Sequence, residues 1–234
     1  MTHFKIRYCL LAFASLAVLS LPARADLITF TTRPAFNAAA PGLPVETFQS
    51  GVAPAPVLPC NGPLSSTMGG GCFSTGGLLP GVVYNASGAI QPNLVVLAAG
   101  FVGNPSRVIG PNAFVNTFNL TFANANAVGF DVFSGPQAGN VAISVFDPAN
   151  VLLGTFSVFA PIGGTFFGVT STMGNIGRIN IDSLAAVRGE LIDNVAFGTA
   201  AAAAVPEPTT MLLLGTGLAG VVAKVRRRRK FGSD

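Results

Sequence analysis

The chain has 234 residues, half of them hydrophobic and only 9% charged, with a net charge of +4 at pH 7. That positive charge belongs to the two ends: from Asp26 to Ala204, four cations (Arg33, Arg107, Arg178, Arg188) face seven acids (Asp26, Glu46, Asp131, Asp147, Asp182, Glu190, Asp193), leaving −3. A mildly acidic body has no footprint for neutralising phosphates, which excludes DNA and RNA as partners, and the single histidine, His3, falls in a stretch expected to be removed as a signal peptide, which excludes Ser-His-Asp and Cys-His chemistry from the mature chain.

Residues 1–25 read as a signal peptide. Lys5 and Arg7 supply a positive start, residues 9–21 an apolar stretch, and Ala23-Arg24-Ala25 a small-x-small cleavage site, so the mature chain is expected to begin at Asp26. Cys9 leaves with the leader. Cys60 and Cys72 then make an even count in an exported chain and are expected to form one disulfide around the turn Gly69-Gly70-Gly71. That glycine cluster lacks the Lys-Ser or Lys-Thr that completes a phosphate loop.

The body, residues 26–199, reads as all-β. At the front, residues 27–30 predict a strand, 34–39 a single helical turn opened by Thr32, and 45–48 a second strand. Val82-Val83-Tyr84-Asn85 reads as a strand that turns the Tyr84 hydroxyl to the surface. Phe114, Phe118, Leu120 and Phe122 mark one side of a further strand, with Val115, Thr117, Asn119 and Thr121 on the other. Residues 128–132 and 141–145 continue the alternation, and Asp147-Pro148-Ala149-Asn150 predicts a turn into 151–159, closing a hairpin. Three more strands follow at 165–170, 176–181 and 191–197. So many short strands favour a two-sheet sandwich, and no internal repeat is visible.

Residues 200–208 read as a linker that ends in Val205-Pro206-Glu207-Pro208. Residues 209–225 are then expected to form a transmembrane helix whose one charge, Lys224, lies at its end. Seventeen residues reach roughly 25 Å at about 1.5 Å each, a little under a hydrocarbon core of about 30 Å, so the span is marginal. Arg226, Arg227, Arg228, Arg229 and Lys230 open a cytoplasmic tail, residues 226–234, and hold everything before the span outside.

This order of Pro-Glu-Pro, apolar run and basic cluster resembles the PEP-CTERM sorting signal of exported proteins in Gram-negative bacteria that make extracellular polysaccharide. The resemblance implies that exosortase, a membrane enzyme, processes the tail of an inner-membrane-anchored precursor, and that the product reaches the cell surface or matrix. Glu46-Thr47-Phe48, Val128-Gly129-Phe130-Asp131-Val132, residues 166–171 and residues 192–198 are similar to bodies that precede such tails, and through them to jelly-roll, galactose-binding-like sandwiches. That likeness implies a structural calcium held by Glu46, Asp193 and loop carbonyls; the alternative is that Asp193 and Asn194 satisfy nearby backbone amides.

The expected function is therefore an exported, non-catalytic structural or adhesive protein of the polysaccharide matrix. A carbohydrate-binding module is the alternative, with a site on Tyr84, Asn85 and a carboxylate, although the chain has no Trp on which to stack a sugar ring. A polysaccharide-acting enzyme would need a positioned pair of carboxylates, and the scattered acids single out none.

Overall fold

The computed structural model of the chain describes residues 27–172, 174–183 and 189–200. In chain order the elements are β1 (Leu27–Phe30), α1 (Arg33–Ala39), β2 (Val45–Glu46), β3 (Val57–Cys60), β4 (Val82–Ala86), β5 (Leu94–Leu97), β6 (Val108–Pro111), β7 (Phe118–Phe122), β8 (Ala127–Phe133), β9 (Gly139–Phe146), β10 (Leu152–Ala160), β11 (Thr165–Ser171), β12 (Arg178–Asp182) and β13 (Leu191–Gly198). Every pairing is antiparallel.

Two sheets result. One runs β1-β11-β8-β13-β6-β5-β3, with β2 also paired to β13, and the other runs β10-β9-β12-β7-β4. From β6 onward successive strands pass between the sheets, except for the β9–β10 hairpin, which is the connectivity of the expected jelly-roll-like sandwich. The main core lies between the inner faces: Phe130, Val132, Phe167, Val169, Ile192 and Val195 from one sheet meet Tyr84, Phe118, Leu120, Ile143, Val145 and Ile179 from the other.

The eight-stranded sheet is covered on its other face as well. Helix α1 is set by the extended Thr32 and by Pro34 in its first turn, and it delivers Phe36 onto the sheet. Phe36 seats where Gly129 and Gly168 stand opposite one another in the β8–β11 register. A Cβ at those positions would come within 2.9 Å and 2.7 Å of the Phe36 ring, so the paired glycines form the notch that admits it. Farther along, Val95, Leu97, Val108, Phe133 and Leu191 form a third cluster.

Burial on both faces explains two strands that period-two alternation does not reveal, and a proline explains a third. All four residues of β5 and all four of β6 are buried, so alternation disappears, while β3 contains Pro59. Other boundaries move for local reasons. The front strand stops at Glu46 because Phe48 takes φ of 57°, and the strand expected from Phe114 begins at Phe118, leaving Phe114 and Val115 exposed. The hairpin turn forms as expected, with Asn150 at φ of 63° and its N–H donated to the Asp147 carbonyl at 3.0 Å. The helix at 33–39 is longer than one turn.

Cys60 and Cys72 are joined in a disulfide. Inside its loop, Gly70 at φ of 60° turns its carbonyl to the Asn61 N–H at 2.9 Å. Ala200, read as the first linker residue, exchanges two hydrogen bonds with the Asn126 side chain, at 2.8 and 3.1 Å.

Candidate functional site

The outer face of the five-stranded sheet is its polar side. Alternation puts the apolar residues of β4, β7, β9 and β12 in the core and turns their neighbours outward. Registers align those neighbours into one row across all five strands: Asn85 opposite Asn119, Asn119 opposite Asn180, Asn180 opposite Ser144, and Ser144 opposite Thr155. At a strand spacing of about 4.8 Å the row is about 19 Å long.

The row is internally fixed. Asn180 Nδ2 donates to Asn119 Oδ1 and to Thr117 Oγ1, both at 3.0 Å, and the Ser144 and Thr155 hydroxyls are 3.0 Å apart. Beside it, Arg178 donates to Asn119 Oδ1 at 2.9 Å and, through Nε and Nη2, to Asn150 Oδ1 at 3.0 and 2.7 Å. Its guanidinium lies 3.8 Å from the centre of the Phe146 ring. Partial burial lowers the Arg178 pKa from its ordinary value. The bonds occupy Asn119 Oδ1 and Asn180 Nδ2, and Asn85 at the end of the row is exposed.

Two clefts of about 380 Å³ each flank this face at opposite ends of the β4–β7 edge. One is lined by Asn93, Asn112, Asn116, Ile90 and Val115, the other by Ser65, Thr67, Met68, Val83 and Thr121. Neutral amides and hydroxyls beside apolar walls suit a neutral polyhydroxylated ligand.

The carboxylates named from the sequence lie elsewhere. Glu46 stands opposite Val195, a core residue, and its two oxygens accept the backbone N–H groups of Phe48 at 2.8 Å and Leu79 at 2.7 Å. Asp193 stands opposite Asp131 on the other face of the same sheet, where it accepts the Ser106 hydroxyl and the Asn194 N–H. A bulge between Asp193 and Ala196, with Asn194 at φ of 50°, turns the Asn194 side chain to Asp131 at 2.8 Å. Arg33 closes that cluster on Asp131 at 3.0 Å and on the Asn194 carbonyl at 3.0 Å. Glu46 and Asp193 therefore face opposite sides of the sheet, and no group of three or more His, Cys, Asp or Glu side chains able to hold a metal occurs among the described residues. Burial raises the Asp193 pKa to about 6, against the hydrogen bonds from Ser106 and Asn194.

Tyr84 departs from expectation. It is fully buried, its ring 5.3 Å from Phe48 and 6.4 Å from Phe118, so it cannot stack a sugar. Burial, then the Glu46 charge, raises its pKa well above the usual value. Asn85, one residue along, does face outward in the row. The sequence signal for the rest was the off-side of each amphipathic strand: Thr117, Asn119 and Thr121 stood out as such, whereas Asn180, Ser144, Thr155 and Arg178 join them only through register.

The cleavage residues Ala23, Ala25 and Asp26, the motif Val205-Pro206-Glu207-Pro208, the span at 209–225 and the cluster 226–230 lie outside the described residues. Among the described residues, no helix is long and apolar enough to cross a membrane. No curated protein matches the chain. Among solved structures the body is similar to a mutant of a family 29 carbohydrate-binding module, at 16% identity over 53% of this chain and 88% of that one, with a TM-score of 0.34. It is also similar to a family 61 module in complex with β-1,4-galactotriose (13%, 49% and 86%, TM-score 0.30) and to the enzymatically active domain of bacteriophage CBA120 tailspike protein 4 (18%, 50% and 19%, TM-score 0.30). Likeness that partial leaves the fold to rest on the strand pairing and carries nothing about function. The tail is matched directly: residues 204–229 are a PEP-CTERM protein-sorting motif, the mark of an exported, exosortase-processed surface protein.

Proposed function

We propose that this is a surface or extracellular-matrix protein, sorted by exosortase from an inner-membrane-anchored precursor, whose all-β body has a structural, adhesive and non-catalytic role in extracellular polysaccharide. The observation that carries the reading is the sorting motif at residues 204–229 attached to an independently cored, disulfide-closed body. Loss of exosortase from the producing cell is expected to leave the protein at full tail length in the membrane fraction. Unchanged delivery to the surface without the enzyme would overturn the reading.

A second reading, that the body is a carbohydrate-binding module, is favoured by the amide and hydroxyl row on the five-stranded sheet. Amides offer donor and acceptor together, as sugar hydroxyls require, and the strand spacing is close to the repeat of one sugar residue in an extended chain. In affinity electrophoresis the body is expected to be retarded by the producer's own polysaccharide, and Asn85→Ala/Asn119→Ala/Asn180→Ala to release it, with a loss of about tenfold or more in affinity. Equal retardation of the variant would remove the site.

A further inference from the structure

Sheet edges separate this fold into guarded and unguarded borders. An edge strand presents unpaired N–H and C=O groups, and soluble proteins blunt it by shortness, proline, charge or a covering loop. The edges at the two ends of the eight-stranded sheet and at one end of the five-stranded sheet use such a device. The eight-stranded sheet ends in β1, which is four residues long, and in β3, where Pro59 has no N–H. At one end of the five-stranded sheet, β4 is capped by Leu64, which exchanges two backbone hydrogen bonds with Tyr84 at 2.8 Å.

The remaining border, β10, has only a β-bulge at its start, between Leu152 and Gly154, and from Thr155 to Ala160 its register is regular and its edge unblocked. Its nine residues, Leu-Leu-Gly-Thr-Phe-Ser-Val-Phe-Ala, hold no charge and no proline. Among the described residues, no backbone group from Leu152 to Ala160 bonds anything beyond its pairing with β9. The core is also open along this border: Leu153, Phe156 and Val158 pack against it yet stay only partly buried, and Leu152 and Phe159 are more than half exposed.

We infer that β10 pairs antiparallel with β10 of a second copy, joining two five-stranded sheets into one of ten strands. The strand is suited to its own likeness. In an antiparallel pair with a two-fold axis at Ser157, opposed residues have the same parity, so Phe156 faces the partner's Val158 on the core side and Thr155 faces the partner's Phe159 on the outer side. Ser157 meets the partner's Ser157. Two identical uncharged strands bring no repulsion, whereas a strand of another protein would find no charge here to select it. The pairing gives each assembly two polar faces, which would let a matrix protein bridge polymer chains, though the pairing itself does not rest on carbohydrate binding.

The chain from Asp26 to Ala200 holds the whole described core and its disulfide, so it can be tested alone. Analytical ultracentrifugation is expected to show a concentration-dependent monomer–dimer equilibrium that Ser157→Lys/Phe159→Lys weakens at least about tenfold, by setting ammonium groups across the axis, with unchanged circular dichroism. As a readout independent of that variant's folding, Ser157→Cys should form a disulfide-linked dimer on oxidation, whereas Asn85→Cys, on the opposite edge strand, should not. A protein monomeric up to about 1 mM, a dimer of unchanged affinity in the lysine variant, or equal cross-linking through Asn85→Cys would each overturn the inference.

Discussion

Tyr84 lies wholly inside the sandwich, its hydroxyl without a hydrogen-bond partner and its ring between Phe48 and Phe118. An unpaired buried hydroxyl costs roughly 1–3 kcal/mol, so Tyr84→Phe is expected to raise stability by about 1 kcal/mol in urea unfolding; a loss of stability would show that the hydroxyl has a bonded role. Two carboxylates set a pH dependence. Burial raises Asp193 from 3.8 to about 6 and Glu190 from 4.5 to about 7, the latter with Oε2 buried and unpartnered while Oε1 accepts the Ser183 N–H at 2.6 Å. Both groups hold their protons more tightly folded than unfolded, so their effect is to lower stability as pH rises from about 4 to about 7. The melting temperature is expected to fall by about 5 °C between pH 4.5 and pH 7.5 from these groups, and Glu190→Gln to flatten the upper part of that slope. A midpoint that climbs steadily over the same window would contradict the assignment.

At the scale of elements, the disulfide loop is the clearest local brace. It spans 12 positions, and closing a loop of that order constrains the unfolded chain by about 3 kcal/mol, so Cys60→Ala/Cys72→Ala is expected to lose about that much, read as a lower denaturation midpoint. A change under about 1 kcal/mol would place the stabilisation elsewhere. β7, β9, β12 and the β9–β10 hairpin are legible because they alternate, their outer side chains meeting water, whereas β8, β11 and β13, covered on both faces, are legible as longer apolar runs bounded by turn residues. β5 and β6 hid because both faces are covered, and no period survives when every position is apolar or small. The same cause governed the site. Asn119 reads as an outward position, but a row needs register, which depends on which strands become neighbours. Glu46 and Asp193 stood at matching places along the chain, yet the β2–β13 pairing turns Glu46 toward the core while the β8–β13 pairing keeps Asp193 on the outer face. Tyr84 is buried, against expectation, because β4 is an edge strand whose inner face is nonetheless covered, by the loop through Leu64 and by Phe48.

Across the whole molecule, the basic character of the chain and the character of its body part company. The net +4 arises from the termini, and the body at −3 offers a polar, weakly charged sheet face rather than a charged one. That division fits a protein whose ends direct its delivery. The delivery signal was the most legible feature, since its order of motif, apolar run and cations survives without any tertiary context, and it is the feature matched at residues 204–229. Intact mass spectrometry of the protein recovered from the cell surface tests the central claim most directly. Processing predicts a chain that begins at Asp26 and ends before Arg226; a surface protein that still carries Arg226 to Lys230 would contradict it.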